Sequence, residues 1–130
     1  MTERAQQPDL TGLTRRFAEH AATLQFDALP PEVVDKIKLI LRDGMGNQIA
    51  ASAISESASR MVELIREWGG APESTVVGHG FKAPAPHAAL CNAMMGHGVE
   101  LDDAHGTGLI KAGSVLTPSV FSIAERTHAS

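Results

Sequence analysis

At 130 residues and 13.7 kDa, with 43% hydrophobic and 20% charged residues, the chain has the size and composition of one folded domain, not of a disordered tail. Eleven Lys and Arg against fifteen Asp and Glu leave a net charge of −4, which speaks against a surface for nucleic acid or for acidic membranes. No apolar run approaches the roughly 18 residues of a membrane span, and the opening MTERAQQPD lacks the basic-then-apolar order of a secretory signal, so a cytoplasmic chain is expected.

Residues 1–9 read as a polar arm and residues 10–130 as a single, all-α helical domain. Leu10, Leu13, Phe17, Ala21 and Leu24 recur at spacings of three and four, with Arg15, Arg16, Glu19 and Gln25 between them, which predicts a first helix. Leu29-Pro30-Pro31-Glu32 ends it and starts the next, Pro31 suiting a first-turn position. The second helix carries Val33, Ile37, Ile40, Leu41, Met45 and Ile49 on one broad face. Gly44 and Gly46 within it each cost about 1 kcal/mol relative to Ala, and close approach of another helix is the reason to place them there. Residues 50–59 read as a loop with Ser57 near a helix start. Met61, Val62, Leu64, Ile65 and Trp68 mark a third helix, ended by Gly69-Gly70.

Thr75-Val76-Val77, short, β-branched and bounded by Pro72 and Gly78-His79-Gly80, reads as an extended connector or a single strand. Pro84 and Pro86 open a helix from about His87 to Gly98, and a Gly-rich loop follows to Gly113. Ser114 is expected to cap a last helix with Val115, Leu116, Val120, Phe121, Ile123 and Ala124, in which Pro118 lies near enough to the start to be tolerated. The apolar class is filled by Ala, Met and Gly, with four Phe, one Trp and no Tyr. Such small residues bury little area each, at roughly 25 cal/mol per Å2. Some helical faces are therefore expected to be completed by another chain.

The chemistry-bearing residues crowd into the stretch from His97 to Ser114, which holds Glu100, Asp102, Asp103, His105 and Lys111 among glycines. Carboxylate, imidazole and ammonium supply a base, an acid and a cationic anchor, which is what proton transfer beside a carboxylate needs. The plainer reading is an Asp-rich loop capping a helix. Asp102, Asp103 and His105 could instead ligate a divalent metal, but there is no HExxH and no second close His pair. Gly106 to Ser114 lacks the Gly-Lys-Ser/Thr ending of a phosphate loop and follows no buried strand. Cys91, the single cysteine, permits neither an internal disulfide nor a cysteine zinc cluster and lies in an apolar helical run, so it reads as an inert core thiol.

Several blocks in order resemble the MmgE/PrpD family. They are Leu29-Pro30-Pro31-Glu32-Val33-Val34, Leu41 to Gly46, Ala50-Ala51, Trp68-Gly69-Gly70 with Val76-Val77-Gly78, and Ala88 to Ala93 with His97 and Leu101 to His105. Gly113 to Pro118, running on to Glu125, resembles the helix that follows. The resemblance implies an all-helical domain that carries the active-site aspartate and histidine. It also implies cofactor-free acid/base work on a small polycarboxylate by a lyase or isomerase (a dehydratase, decarboxylase or epimerase), with no metal.

On that resemblance Asp102 or Asp103 would orient or take the proton, His105 would act as acid or base, and Lys111 would hold a substrate carboxylate. His97 and the helix start at Gly113 and Ser114 would complete substrate binding. Two features depart from the family: Lys111-Ala112-Gly113 stands where His-Pro-Gly is usual, and family enzymes are several times longer. A small subunit completed by a second chain is therefore expected. The alternatives are a non-catalytic helical module that oligomerises or regulates a full-length relative, and a self-sufficient enzyme with its pocket between identical subunits.

Overall fold

A computed structural model describes residues 11–129; the predicted polar arm and Leu10 lie outside the described residues. These residues form five α-helices and a two-stranded sheet, so the mostly helical reading holds. The helices are α1 (Leu13–Thr23), α2 (Pro31–Ile54), α3 (Glu56–Trp68), α4 (Ala85–His97) and α5 (Gly113–Thr127), with a 3-10 turn at Phe26–Ala28. No helix among the described residues is long and apolar enough to cross a membrane.

The chain divides into two compact units, with the boundary between Val34 and Asp35 inside α2. In the first, Gly12 enters α1 at φ 70°, a left-handed conformation that glycine adopts without a Cβ clash. The helix forms as its periodicity predicts, yet it buries none of its residues, and Phe17 stays 66% exposed.

In the second unit α4 is central. Its buried residues lie around much of the helix, at Ala85, Ala88, Cys91, Asn92, Met95 and Gly96. The core joins Ala51 of α2, Ala58, Val62 and Ile65 of α3, Val76 and Ala83 of the sheet, and Ala88, Cys91 and Met95 of α4.

The sheet bears out the extended reading of Thr75 and Val76 and adds a partner strand that the sequence reading lacked. Ser74–Val76 (β1) is one strand of an antiparallel hairpin whose other strand is Phe81–Ala83 (β2), with Ser74 opposite Ala83 and Val76 opposite Phe81. Gly78 and Gly80 take the positive φ of the intervening turn. Two helix boundaries also shift. α2 continues to Ile54, through half of the predicted loop, and Ser55, not Ser57, caps α3 by accepting the Ala58 N–H. α5 starts at Gly113, so Ser114 lies inside its first turn and is not its cap.

The helix faces differ from expectation in a consistent way. α2 buries Gly44, Asn47, Gln48 and Ala51, and α5 buries Gly113, Ser114, Thr117, Pro118 and Ser122. A Cβ at Gly44 would lie 3.1 Å from Thr117 Oγ1, so this glycine does permit the close helix approach expected of it; Gly46 faces open space. The large apolar residues of α5 point outward: Val115, Leu116, Val120 and Ile123 are all more than half exposed.

Candidate functional site

α4 ends at His97, and the chain returns to α5 through Lys111 two residues before the helix begins. These two ends bring four side chains into a closed ring. His97 Nδ1 lies 3.0 Å from Asp102 Oδ2, and its Nε2 lies 3.1 Å from Glu100 Oε1. Lys111 Nζ donates to Glu100 Oε2 at 2.9 Å and to Asp102 Oδ1 at 3.2 Å. Glu100 reaches its place from a left-handed backbone, φ 55°, a conformation that costs a non-glycine residue of order 1 kcal/mol or more.

The ring is asymmetric in its exposure. The Asp102 side chain is 2% exposed, whereas Glu100 is 71% exposed and His97 about half. Burial pushes the Asp102 carboxyl toward its neutral form, but hydrogen bonds from His97 and Lys111 outweigh it and hold the group below the usual carboxylate range. Lys111 is held above the usual lysine range, first by its bond to Glu100 and then by that to Asp102. It is an ammonium at neutral pH and suits an anion anchor rather than a base. His97 has a carboxylate at each ring nitrogen. Whichever ring nitrogen carries a proton donates it to the carboxylate that faces it.

The other predicted residues go elsewhere. Asp103 Oδ1 accepts the Gly113 N–H at 2.8 Å and so satisfies the start of α5, and a Cβ on Gly113 would collide with that carboxylate. The Gly113 N–H expected to meet a substrate carboxylate is already engaged. Ser114 donates its hydroxyl to Lys111 O at 3.0 Å, which fixes the turn that presents the lysine. His105 is exposed; its Nδ1 accepts the Gly108 N–H at 2.8 Å and its backbone bridges to Ile110. Neither Asp103 nor His105 joins the ring.

Asp103 instead lines an open cleft of about 500 Å3 with Lys36, Leu39, Ile40, Arg42 and Asp43. Asp43 accepts from Asn47 Nδ2, while Lys36 and Arg42 have no ion-pair partner among the described residues.

Among the described residues, the donor atoms that converge to a metal-like spacing are those of His97, Glu100 and Asp102, all within 4.8 Å of one another, and not those of Asp102, Asp103 and His105. Lys111 Nζ is bonded to both carboxylates of that trio. Glu100 lies in the predicted stretch, but the sequence reading gave it no role. Its signal in the sequence is the three-residue step from His97 at a helix end, which places the two side chains on one side of the turn. Cys91 is buried, and burial pushes its thiol up to about 11, so it is an inert core group as expected.

Comparison with known proteins agrees with the sequence blocks. Residues 15–130 match the family profile described as MmgE/PrpD N-terminal domain. The chain is 25% identical over 115 residues to cis-aconitate decarboxylase of Aspergillus terreus, which covers 88% of this chain and 23% of that protein. It is 27% identical over 115 residues to cis-aconitate decarboxylase-like protein oryM of Aspergillus oryzae, covering 87% of this chain and 23% of the relative. The chain thus spans about a quarter of the length of these curated relatives. No solved structure matches it significantly.

Proposed function

The chain belongs to the MmgE/PrpD family through that family's N-terminal domain, and from this premise we propose that it carries the acid/base group of a lyase-type site acting on a small polycarboxylate, completed by a second chain. The observation that carries the proposal is the closed ring of His97, Glu100, Asp102 and Lys111 around a buried, ionised aspartate. Asp102 faces His97 Nδ1 and so orients the ring with Nε2 toward the exposed Glu100. His97 Nε2 gives a proton to, or takes one from, a carbon beside a substrate carboxylate. Lys111 exchanges the exposed Glu100 for that carboxylate. Lys36 and Arg42, in the cleft beside Asp103, offer cations for a second carboxylate. The imidazole role passes here from His105 to His97, because His105 Nδ1 is tied to its own loop.

The test is turnover or proton exchange of a panel of di- and tricarboxylates by the chain with its partner present. His97→Ala should lower the rate by roughly 10^2 to 10^4, the usual contribution of one general acid/base, while His105→Ala leaves it near wild type. The reverse ranking would sink the assignment.

A second reading has its own support. α1 buries no residue, and α5 exposes Leu116, Val120 and Ile123 along one face, as suits a helical oligomerisation or regulatory module. Unchanged turnover in every ring variant of an active complex would favour it.

A further inference from the structure

The four side chains of the His97 ring do not hold their places equally. Asp102 is 2% exposed and is bonded at both oxygens, so it is fixed. Glu100 is 71% exposed, and its carboxylate bridges the two groups that the proposed function employs. Its Oε1 lies 3.1 Å from His97 Nε2 and its Oε2 lies 2.9 Å from Lys111 Nζ. A carboxylate of the chain itself thus sits between the imidazole and the ammonium, where that reading places a carboxylate of the substrate.

Two observations mark Glu100 as more than a loop tie. Its backbone N–H donates to His97 O at 3.0 Å, and its φ of 55° is a conformation that glycine, and sometimes asparagine or aspartate, adopts in such turns. A glutamate holds it at a steric cost, so the reason for the residue lies in its side chain. The charge count is also uneven. Asp102 alone neutralises Lys111, so with a neutral imidazole Glu100 gives the ring one negative charge in surplus. Glu100 is the exposed anion of the four, and its departure leaves a vacant donor on Lys111 without unpairing a buried group.

Resting on the acid/base reading above, we propose that Glu100 is an internal competitor: its carboxylate occupies the position of the substrate carboxylate, and a ligand binds by displacing it. Tethered three residues from His97, it competes at an effective concentration of millimolar order or above. A ligand with one carboxylate therefore enters poorly at micromolar concentration. A polycarboxylate displaces Glu100 by adding contacts, such as those offered by Lys36 and Arg42.

The test is binding of acetate and of propane-1,2,3-tricarboxylate to the full chain, followed by the His97 imidazole NMR signals at neutral pH and constant ionic strength. Glu100→Gln keeps the side-chain size and should tighten both ligands by one common factor of about ten or more, the equivalent of a charge-assisted hydrogen bond. A common factor identifies displacement, because the same contact is given up whichever ligand enters. Loss of a distant negative charge would instead favour the tricarboxylate over acetate, and would fade as salt rises. Glu100→Gly removes the side chain and relieves the left-handed backbone; it should give at least the same factor. Unchanged or weaker binding in both variants, or a tightening that grows with ligand charge, would overturn the competitor and leave the ring an anion site. Absence of saturable shifts with either ligand, in wild type and variants alike, would overturn the acid/base reading and the competitor with it.

Discussion

Asp102 shows how a single carboxylate can be both buried and charged. Its desolvation is offset by an imidazole and an ammonium that bond to its two oxygens, so ionisation is favoured in the folded state. A carboxyl whose folded pKa is lowered adds stability that is complete above its ordinary value of 3.8 and is lost as pH falls through the lowered one. Lys111 has the opposite sign: its contribution is complete below its ordinary value of 10.5 and is lost as pH rises through the raised one. Asp102→Asn should cost about 1.5–3 kcal/mol at neutral pH, the range for hydrogen bonds to charged groups, and should flatten the acid limb. Urea unfolding of both proteins between about pH 2 and 7 measures this directly. Equal stabilities at neutral pH would show that the ring does not hold the loop.

At the scale of elements, polar bonds tie the short hairpin to α5. Ser74 donates to Ser122 O at 2.6 Å, and Glu125 accepts from the Thr75 N–H and hydroxyl at 2.6 and 2.7 Å and from Lys82 at 2.8 Å. Burial opposes the Glu125 charge, but these partners prevail and hold its carboxyl down at about 2. Its contribution is therefore complete above 4.5 and is lost as pH falls toward about 2. Glu125→Gln should cost about 1 kcal/mol, below the range for buried bonds to charged groups because solvent screens a side chain that is 36% exposed. Hydrogen exchange at the Thr75 amide should rise in the same variant. An unchanged exchange rate would mean that the hairpin is held by Val76 and Ala83 in the core alone.

Across the whole molecule, apolar surface is left over. Val115, Leu116, Val120 and Ile123 are 51–59% exposed, and Phe17 and Phe26 are 66% and 72% exposed. Exposed apolar residues along one helix face, as Leu116, Val120 and Ile123 are on α5, mark association surfaces. The isolated chain is expected to self-associate, or to bind a partner, at micromolar concentration. Val120→Glu with Ile123→Lys should move it to monomer in sedimentation velocity without loss of helical circular dichroism. A wild-type chain that is already monomeric and cooperatively folded would remove this prediction.

What the sequence determined by itself was local. The four-residue spacing of Leu13, Phe17 and Ala21, the Pro31 start and the Gly69 stop follow from backbone sterics and side-chain size, which act within a few residues, and the lack of a side chain at Gly44 marked a close approach without naming its partner. The ordered blocks from Leu29 to Glu125 placed the chain in its family, and the stretch from His97 to Lys111 held the polar ring. Tertiary structure decided which face of each helix went inward. Hydrophobicity favoured Val115, Leu116 and Val120 on α5, but only small side chains such as Gly113, Ser114 and Thr117 let α5 lie close to α4 and to Gly44 of α2. It also decided which carboxylate met which partner. Asp102 and Asp103 are adjacent and chemically alike, yet one completes the His97 ring and the other caps α5. Nothing within a few residues distinguishes them; the positions of α4's end and α5's start do.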